Sequence, residues 1–301
     1  MPSDHVDTPR LFCFGLGFSA RRLAGRLLQQ GWRVAGTVRD ADKAEALRAE
    51  GIEAHTFDRG RPLDDPVGAL AGTTHLLVSV PPDRAGTADA ALDHHRGDLL
   101  GHADTLRWIG YLSTTGVYGN RDGAWVDEDD ALHPTSDRSR RRVAAESAWR
   151  ALWAEHGLPV QVFRLAGIYG PGRSPLDSVR NGSAKRIDLP QQKFGRIHVD
   201  DIAGVLQASI ARPNPGAIYN VADDEPAAPA DVTAYACELL GVDPPPLVSF
   251  ADAGMSEMAK TFWRDNKRVD NARIHRELGV RLAYPTFREG LRAVLDAEAE
   301  R

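Results

Sequence analysis

The chain has 301 residues, 42% hydrophobic and 26% charged, with 37 Lys and Arg against 42 Asp and Glu and a formal net charge of -5. This length can bury a substantial core in one large domain or two. The mild acidity gives no electrostatic ground for a nucleic-acid or membrane-surface partner, and no run of 18 apolar residues is available to span a bilayer.

The N-terminal stretch Met1-Pro-Ser-Asp-His-Val-Asp7 is polar and lacks an apolar segment of signal-peptide length, so a cytoplasmic protein is the default expectation. Leu11-Phe-Cys-Phe14 then forms an apolar run that enters the turn Gly15-Leu-Gly17-Phe18-Ser19-Ala20. A helical stretch follows, and a second apolar run ending at Val38 is closed by Arg39. That is the order of parts in a dinucleotide-binding βαβ unit. Gly15 permits a tight turn, Gly17 lets backbone N–H groups approach a pyrophosphate, and Ala20 allows close helix–strand packing. Phe18 and Ser19 open the helix, whose N-terminus favours an anion.

Further strands are expected near 52–57, 75–80, 107–113 and 159–165, and helices near 18–30, 40–49, 88–105 and 136–156. The alternation predicts an α/β fold, a doubly wound parallel sheet with helices on both faces. Beyond Gly170 the pattern breaks at Pro171, Gly172, Pro175, Asn181-Gly182 and Pro190. Residues 196–203 start another helix with Asp200 as its expected N-cap, 217–221 is a short strand, and the tail from about 230 reads as a small helical cap. Asp127-Glu-Asp-Asp130 is expected to be a solvated loop. Cys13 and Cys237 have no cysteine neighbours and suit small buried apolar roles. His94, His95 and His102 share a predicted helix without a fixed carboxylate partner, and no metal site is expected.

Eight motifs occur in order: the glycine turn, Asp58 after the third strand, Ser113-Thr114-Thr-Gly-Val-Tyr118-Gly119, Val126-Asp-Glu128, Arg164-Leu-Ala-Gly-Ile-Tyr-Gly170-Pro-Gly172-Arg173, Ile197-His-Val-Asp-Asp201, Tyr219-Asn-Val, and Glu277-Leu-Gly279. Together they resemble the extended or atypical short-chain dehydrogenase/reductase superfamily, its nucleoside-sugar epimerase/dehydratase branch in particular. The resemblance implies an NAD(P)-binding Rossmann domain at 1–168 plus about 196–222. It also implies a smaller, interleaved, mostly C-terminal α/β substrate domain at about 169–195 and 223–301, with a small-molecule substrate or effector. A helix-paired homodimer is the superfamily habit. By the same resemblance Asp58 contacts the adenine amino group, and the fourth strand, through Ser79, Val80 and Pro81, passes the cofactor ribose.

NAD-using Rossmann proteins usually carry an acid at the end of the second strand, bonded to the ribose hydroxyls. Val38 stands there, with Arg39 next. A carboxylate would repel a 2′-phosphate, whereas a guanidinium binds one through charge-assisted hydrogen bonds. NADP is therefore preferred over NAD, and Asp40 is assigned to capping the next helix.

Members of this superfamily use a Tyr and a Lys four residues later for proton transfer. The family pattern places Arg138 and Arg142 at those positions. No Tyr occurs between Tyr118 and Tyr169, and no Lys between Lys43 and Lys185. Arginine cannot be a proton-transfer base near neutrality. Arg142 can still supply a positive charge to the nicotinamide ribose, and Arg138 can bind an anionic substrate group. In the alternative, Arg138 and Arg140 to Arg142 form a solvated face pairing with Glu146 or Asp137. Thr114 matches the hydroxyl that bonds the reacting oxygen, with Ser113 in reserve. Tyr118 or Tyr169 could replace the phenol, and Arg196 and His198 match crevice-facing positions. Thr115-Gly116 replaces the Asp-Glu pair of sugar dehydratases, leaving elimination without an acid and base.

Two functions fit. One is an NADP-dependent oxidoreductase or epimerase acting on a nucleotide sugar or another small anionic alcohol or ketone. The other is a non-catalytic NADP-binding sensor or regulator that has lost the Tyr/Lys pair.

Overall fold

The computed structural model describes residues 8–85, 89–255, 260 and 263–299. The expected polar stretch at 1–7 lies outside the described residues. The chain opens with β1 (Arg10–Phe14), α1 (Phe18–Gln29), β2 (Arg33–Val38), α2 (Ala41–Ala49), β3 (Glu53–Thr56), α3 (Pro66–Leu70) and β4 (His75–Val78). Next come α4 (Ala90–Gly101), β5 (Trp108–Thr114), β6 (Trp125–Val126), α5 (Asp137–His156) and β7 (Val160–Leu165). These are followed by β8 (Gly167–Tyr169), α6 (Pro175–Arg180), β9 (Arg186–Ile187), β10 (Arg196–His198), α7 (Val199–Ala211) and β11 (Ile218–Val221). The last third holds α8 (Pro229–Leu240), β12 (Leu247–Val248), β13 (Arg268–Val269) and the helices Ala272–Leu278 and Phe287–Ala299.

Seven strands form one sheet in the order β11-β7-β5-β4-β1-β2-β3. The contiguous pairs from β3 through β2, β1 and β4 to β5 are all parallel. Strand order reverses between β1 and β4, the topological switch point at which α/β sheets bind ligands beyond their carboxyl ends. β1 is buried throughout, as is β4, which is why both read as unbroken apolar runs. α1 buries Ser19, Ala20, Leu23, Ala24 and Leu27, the three- and four-residue spacing of one helix face. Gly36 in β2 is needed for packing: a Cβ there would lie 2.6 Å from the Cys13 carbonyl oxygen.

Two compact units emerge. The first comprises residues 1–113, 141–163 and 206–218, and the second 114–140, 164–205 and 219–301. The core of the first unit gathers Phe12, Phe14, Leu76, Val78, Ile109, Trp149 and Val162. Arg10 is buried beneath it, with hydrogen bonds to the Ala69 carbonyl and Thr73 and an ion pair to Glu53. The second unit contains three parallel two-stranded pairs, β10 with β8, β12 with β9 and β13 with β6. Its core packs Tyr169, Leu176, Val232, Ala236, Phe287, Leu291 and Val294.

Three local expectations are corrected. α7 begins at Val199, so Asp200 sits in its first turn; its N–H donates to His198 Nδ1, and the imidazole does the capping. Within the loop expected to be solvated, Glu128 is buried, accepts from the Asn220 N–H at 2.7 Å and pairs with Arg273. His95 does have a carboxylate partner: its Nδ1 meets Asp98 at 2.9 Å while its Nε2 accepts from the Leu63 N–H. The backbone of His95 leaves helical geometry and kinks α4 there. Asp40 caps α2 as expected, accepting from the Lys43 N–H, and both cysteines are buried. Among the described residues no helix is long and apolar enough to cross a membrane.

Candidate functional site

In the first unit the candidate cofactor residues gather at the carboxyl ends of β1 to β4. Gly15 has φ +91°, a left-handed conformation open to glycine. Its N–H donates to Thr37 Oγ1 at 2.9 Å, and its carbonyl accepts from Ser79 Oγ at 2.5 Å. Ser79 therefore braces the turn from below. A Cβ on Gly15 would lie 3.0 Å from Ser79 Oγ and 3.1 Å from Val80 Cγ1. Gly17 differs: a Cβ there would meet nothing within 4 Å. It is the N-cap of α1, with no side-chain cap and no acid in the first turn. Gly17 is exposed, and the N-terminus of α1 with its helix dipole lies directly behind it, which suits a pyrophosphate. These residues fit a dinucleotide.

Arg39 follows β2 and is exposed, with no side-chain partner among the described residues. Asp58 follows β3, and its carboxylate is engaged locally, accepting from the Gly60 N–H and from Arg61. Val80 is half-buried and Pro81 exposed beyond β4. Arg142, half-buried on α5, donates to the Tyr111 hydroxyl at 3.1 Å and to the Leu112 carbonyl at 2.9 Å. Its charge is held in place against β5. Ser113 is committed elsewhere, donating to the buried Glu146 at 2.8 Å. Of the alternative pairings of the basic helix face, Asp137 takes Arg140.

In the second unit Thr114 Oγ1 accepts from the Gly116 N–H at 3.1 Å, capping the short helical turn Thr115–Tyr118. That use leaves its own proton available for donation. Arg138 is exposed. Tyr118 is fully buried, its hydroxyl donating to Asn220 Oδ1 at 2.7 Å and accepting from Arg164 at 2.8 Å. Burial pushes this phenol up to about 12, against the opposing charge of Arg164. Tyr169 is buried too, its hydroxyl has no partner among the described residues, and desolvation together with Asp223 and Asp201 raises it further. Burial of both rings works against the phenolate that a neutral-pH base would need. His198 is buried between the rings of Tyr169 and Tyr284, at centroid distances of 5.2 and 4.2 Å.

A cavity of about 480 Å³ in the second unit is lined by Arg173, Lys185 and Arg196 together with Ser174, Asp177 and Thr233. The lining thus holds three basic side chains and one carboxylate. Ser174 and Asp177 close the start of α6 with a capping box, so the carboxylate is internally occupied. Sequence reasoning singled out Arg173 and Arg196 but missed Lys185, which lies in a loop without pattern. It also missed Asp223, buried at 1% exposure with neither carboxylate oxygen bonded among the described residues. Burial drives Asp223 up to about 8, with Arg196 opposing. Its neighbour in sequence, Tyr219-Asn-Val, was the only available signal.

Comparison with known proteins gives four results. Residues 98–222 match the model of the NAD dependent epimerase/dehydratase family. Protein YeeZ of Escherichia coli K12 is 30% identical over 281 residues, spanning 90% of this chain and 94% of that protein. A dTDP-glucose 4,6-dehydratase of Streptomyces griseus is 28% identical over 260 residues, 79% of this chain and 75% of that enzyme. Among solved structures, a functionally unknown conserved protein from Silicibacter pomeroyi DSS is 51% identical, with a TM-score of 0.89 over 96% of this chain and 99% of that one.

Proposed function

The chain belongs to the NAD dependent epimerase/dehydratase family, within the extended short-chain dehydrogenase/reductase superfamily, and from that premise we propose that it is an NADP-dependent oxidoreductase or epimerase of a small anionic alcohol or ketone, with a nucleotide sugar as the leading class. A nicotinamide cofactor accords with the family. The preference for NADP over NAD rests on Val38 standing where NAD-using folds carry an acid and on the adjacent exposed guanidinium of Arg39, which has no side-chain partner among the described residues. When bound, a nicotinamide supplies hydride transfer. Gly15, Gly17, Phe18, Ser19 and Ala20 hold the pyrophosphate, Asp58, Ser79, Val80 and Pro81 border the adenosine and ribose, and Arg142 contributes charge.

The observation that carries the anionic substrate is the cavity bearing Arg173, Lys185 and Arg196. Thr114 would orient the reacting oxygen, and Arg138 offers a second, exposed charge. The proton is not carried by a phenol in this scheme, since Tyr118 is locked by Arg164 and Asn220.

A second reading, a non-catalytic NADP-binding sensor or regulator, is favoured by that same locked phenol and by arginines at the Tyr and Lys positions. One experiment separates the two. Full-length protein is titrated with NADPH and NADH by nicotinamide fluorescence, then supplied with UDP- and dTDP-hexoses while cofactor oxidation and sugar products are followed. Turnover supports the enzyme. Cofactor and sugar-nucleotide binding without any sugar conversion supports the sensor, and absence of both binding events overturns the two together.

A further inference from the structure

The register of β2 on β3 pairs Val38 with Thr56, and the Phe57 N–H donates to the Val38 carbonyl at 2.9 Å. Arg39 is therefore level with the residues that immediately follow β3. There the chain makes a tight reversal: Asp58 and Arg61 exchange both backbone hydrogen bonds, at 3.0 and 3.1 Å. The reversal carries the Arg61 guanidinium back to the end of β2. Its Nη2 donates to the Arg39 carbonyl at 2.5 Å and to Asp58 Oδ2 at 3.2 Å.

Both bonds use Nη2, so the Nη1 and Nε donors stay available among the described residues, on a side chain that is 44% exposed. The nearby Arg59 is unlike it, being neutralised by Asp83 and Asp93. Asp58 pairs with Arg61, and Asp40, next to Arg39, is turned to the Lys43 N–H as the cap of α2, so neither carboxylate pairs with Arg39. Two guanidinium groups just beyond the ends of adjacent strands β2 and β3, one anchored to the main chain of the other, form a fork for a doubly charged phosphate ester.

We propose that Arg61 is a cofactor-specificity residue that binds, with Arg39, the 2′-phosphate of an adenine dinucleotide, the Asp58–Arg61 turn serving to aim it. This rests on the NADP reading above and extends it to a residue in the reversal that follows β3. In such a site the anchoring bond to the Arg39 carbonyl fixes the guanidinium before the ligand arrives, which lowers the ordering cost of binding. Asp58 stays paired with Arg61 and is not left as a bare carboxylate facing the phosphate.

The test is calorimetric titration of full-length wild type, Arg61→Gln and Arg61→Lys with NADPH, NADH, 2′,5′-ADP and 5′-AMP. Arg61→Gln removes the charge and the guanidinium reach, while the two Asp58–Arg61 backbone hydrogen bonds preserve the turn. It is expected to weaken NADPH and 2′,5′-ADP by about tenfold, with NADH and 5′-AMP within about twofold, and Arg61→Lys recovers part of the loss. Equal weakening of all four ligands would mean that Arg61 only shapes the turn, and unchanged NADPH affinity would mean that it contributes nothing; either overturns the proposal while the NADP reading stands. A wild type that binds NADH as tightly as NADPH overturns both.

Discussion

Arg164 donates a 2.8 Å hydrogen bond to the Tyr118 hydroxyl and lies with its guanidinium carbon 5.0 Å from the centre of the same ring. Both side chains are buried, and the phenol proton is directed at Asn220. The arrangement is a satisfied polar network in the second unit, in which each partner spares the other an unpaired burial. Tyr118→Phe is therefore expected to destabilise the protein by about 1–3 kcal/mol, because Arg164 loses an acceptor in a buried place. NADPH affinity should stay unchanged. Urea unfolding and cofactor titration check this, and a variant of wild-type stability that has lost turnover would instead make Tyr118 the acid/base.

Two glycines of the cofactor-binding unit should respond in opposite ways. Gly17 faces open space, so Gly17→Val keeps the fold while filling the approach to the α1 N-terminus; dinucleotide affinity should fall by at least about tenfold. Gly36 faces Cys13 and Leu16 at 2.6 to 2.9 Å, so Gly36→Ala should cost about 1–3 kcal/mol of stability through overpacking. Thermal unfolding alongside NADPH titration separates the two effects. Loss of stability in Gly17→Val at unchanged affinity would contradict the pyrophosphate assignment.

Arg39→Ala should erase the preference for NADPH over NADH, a change of about tenfold or more in the affinity ratio, without altering NADH binding. Because the guanidinium is exposed, the preference should also shrink as salt is raised. The ratio of dissociation constants at two ionic strengths measures it, and a salt-independent ratio in the wild type would count against the phosphate contact.

Two buried groups set stability slopes of opposite sign. Asp223 is raised from 3.8 to about 8, so the folded state holds a proton that the unfolded state has released. Its contribution is present in full below pH 3.8 and is lost as pH rises towards 8. His75 is lowered from 6.5 to about 4, chiefly by burial and then by Arg107, so its contribution is lost as pH falls through that interval. Between pH 6.5 and 8 only the Asp223 slope remains of the two. Wild-type stability should fall there by about 1–2 kcal/mol, and Asp223→Asn should flatten the fall. Urea midpoints across that window decide; an equal slope in the variant would remove Asp223 as its source.

Much of the sheet was legible in the sequence, since the expected runs at 10–15, 32–38, 52–57, 75–80, 107–113 and 159–165 correspond to β1 to β5 and β7. A parallel strand buried on both faces must be a contiguous apolar run, and α1 between the first two strands carries the periodicity of one buried face. The cap at Asp40 was legible because capping is a local bond between a side chain and an N–H three residues on. The cap of α7 was not: His198 supplies it, and nothing in the string distinguishes that imidazole from the more usual Asp200. Glu128 was misread for a related reason, since its partner Asn220 is 92 residues away, whereas the carboxylate partner of His95, Asp98, is local and was overlooked.

The sequence by itself determined the alternation of strand and helix, the glycine turn on α1 and the charge at the end of β2, because each depends on residues adjacent in the chain. Tertiary structure alone decided which polar groups are buried and with whom. It tied the Tyr118 hydroxyl to Arg164 and Asn220, left the Asp223 carboxylate buried without a side-chain hydrogen bond among the described residues, and carried Arg61 back to Arg39. Desolvation and hydrogen bonding act through space, so whether a titratable side chain is chemistry or scaffold is settled only when distant segments have packed around it.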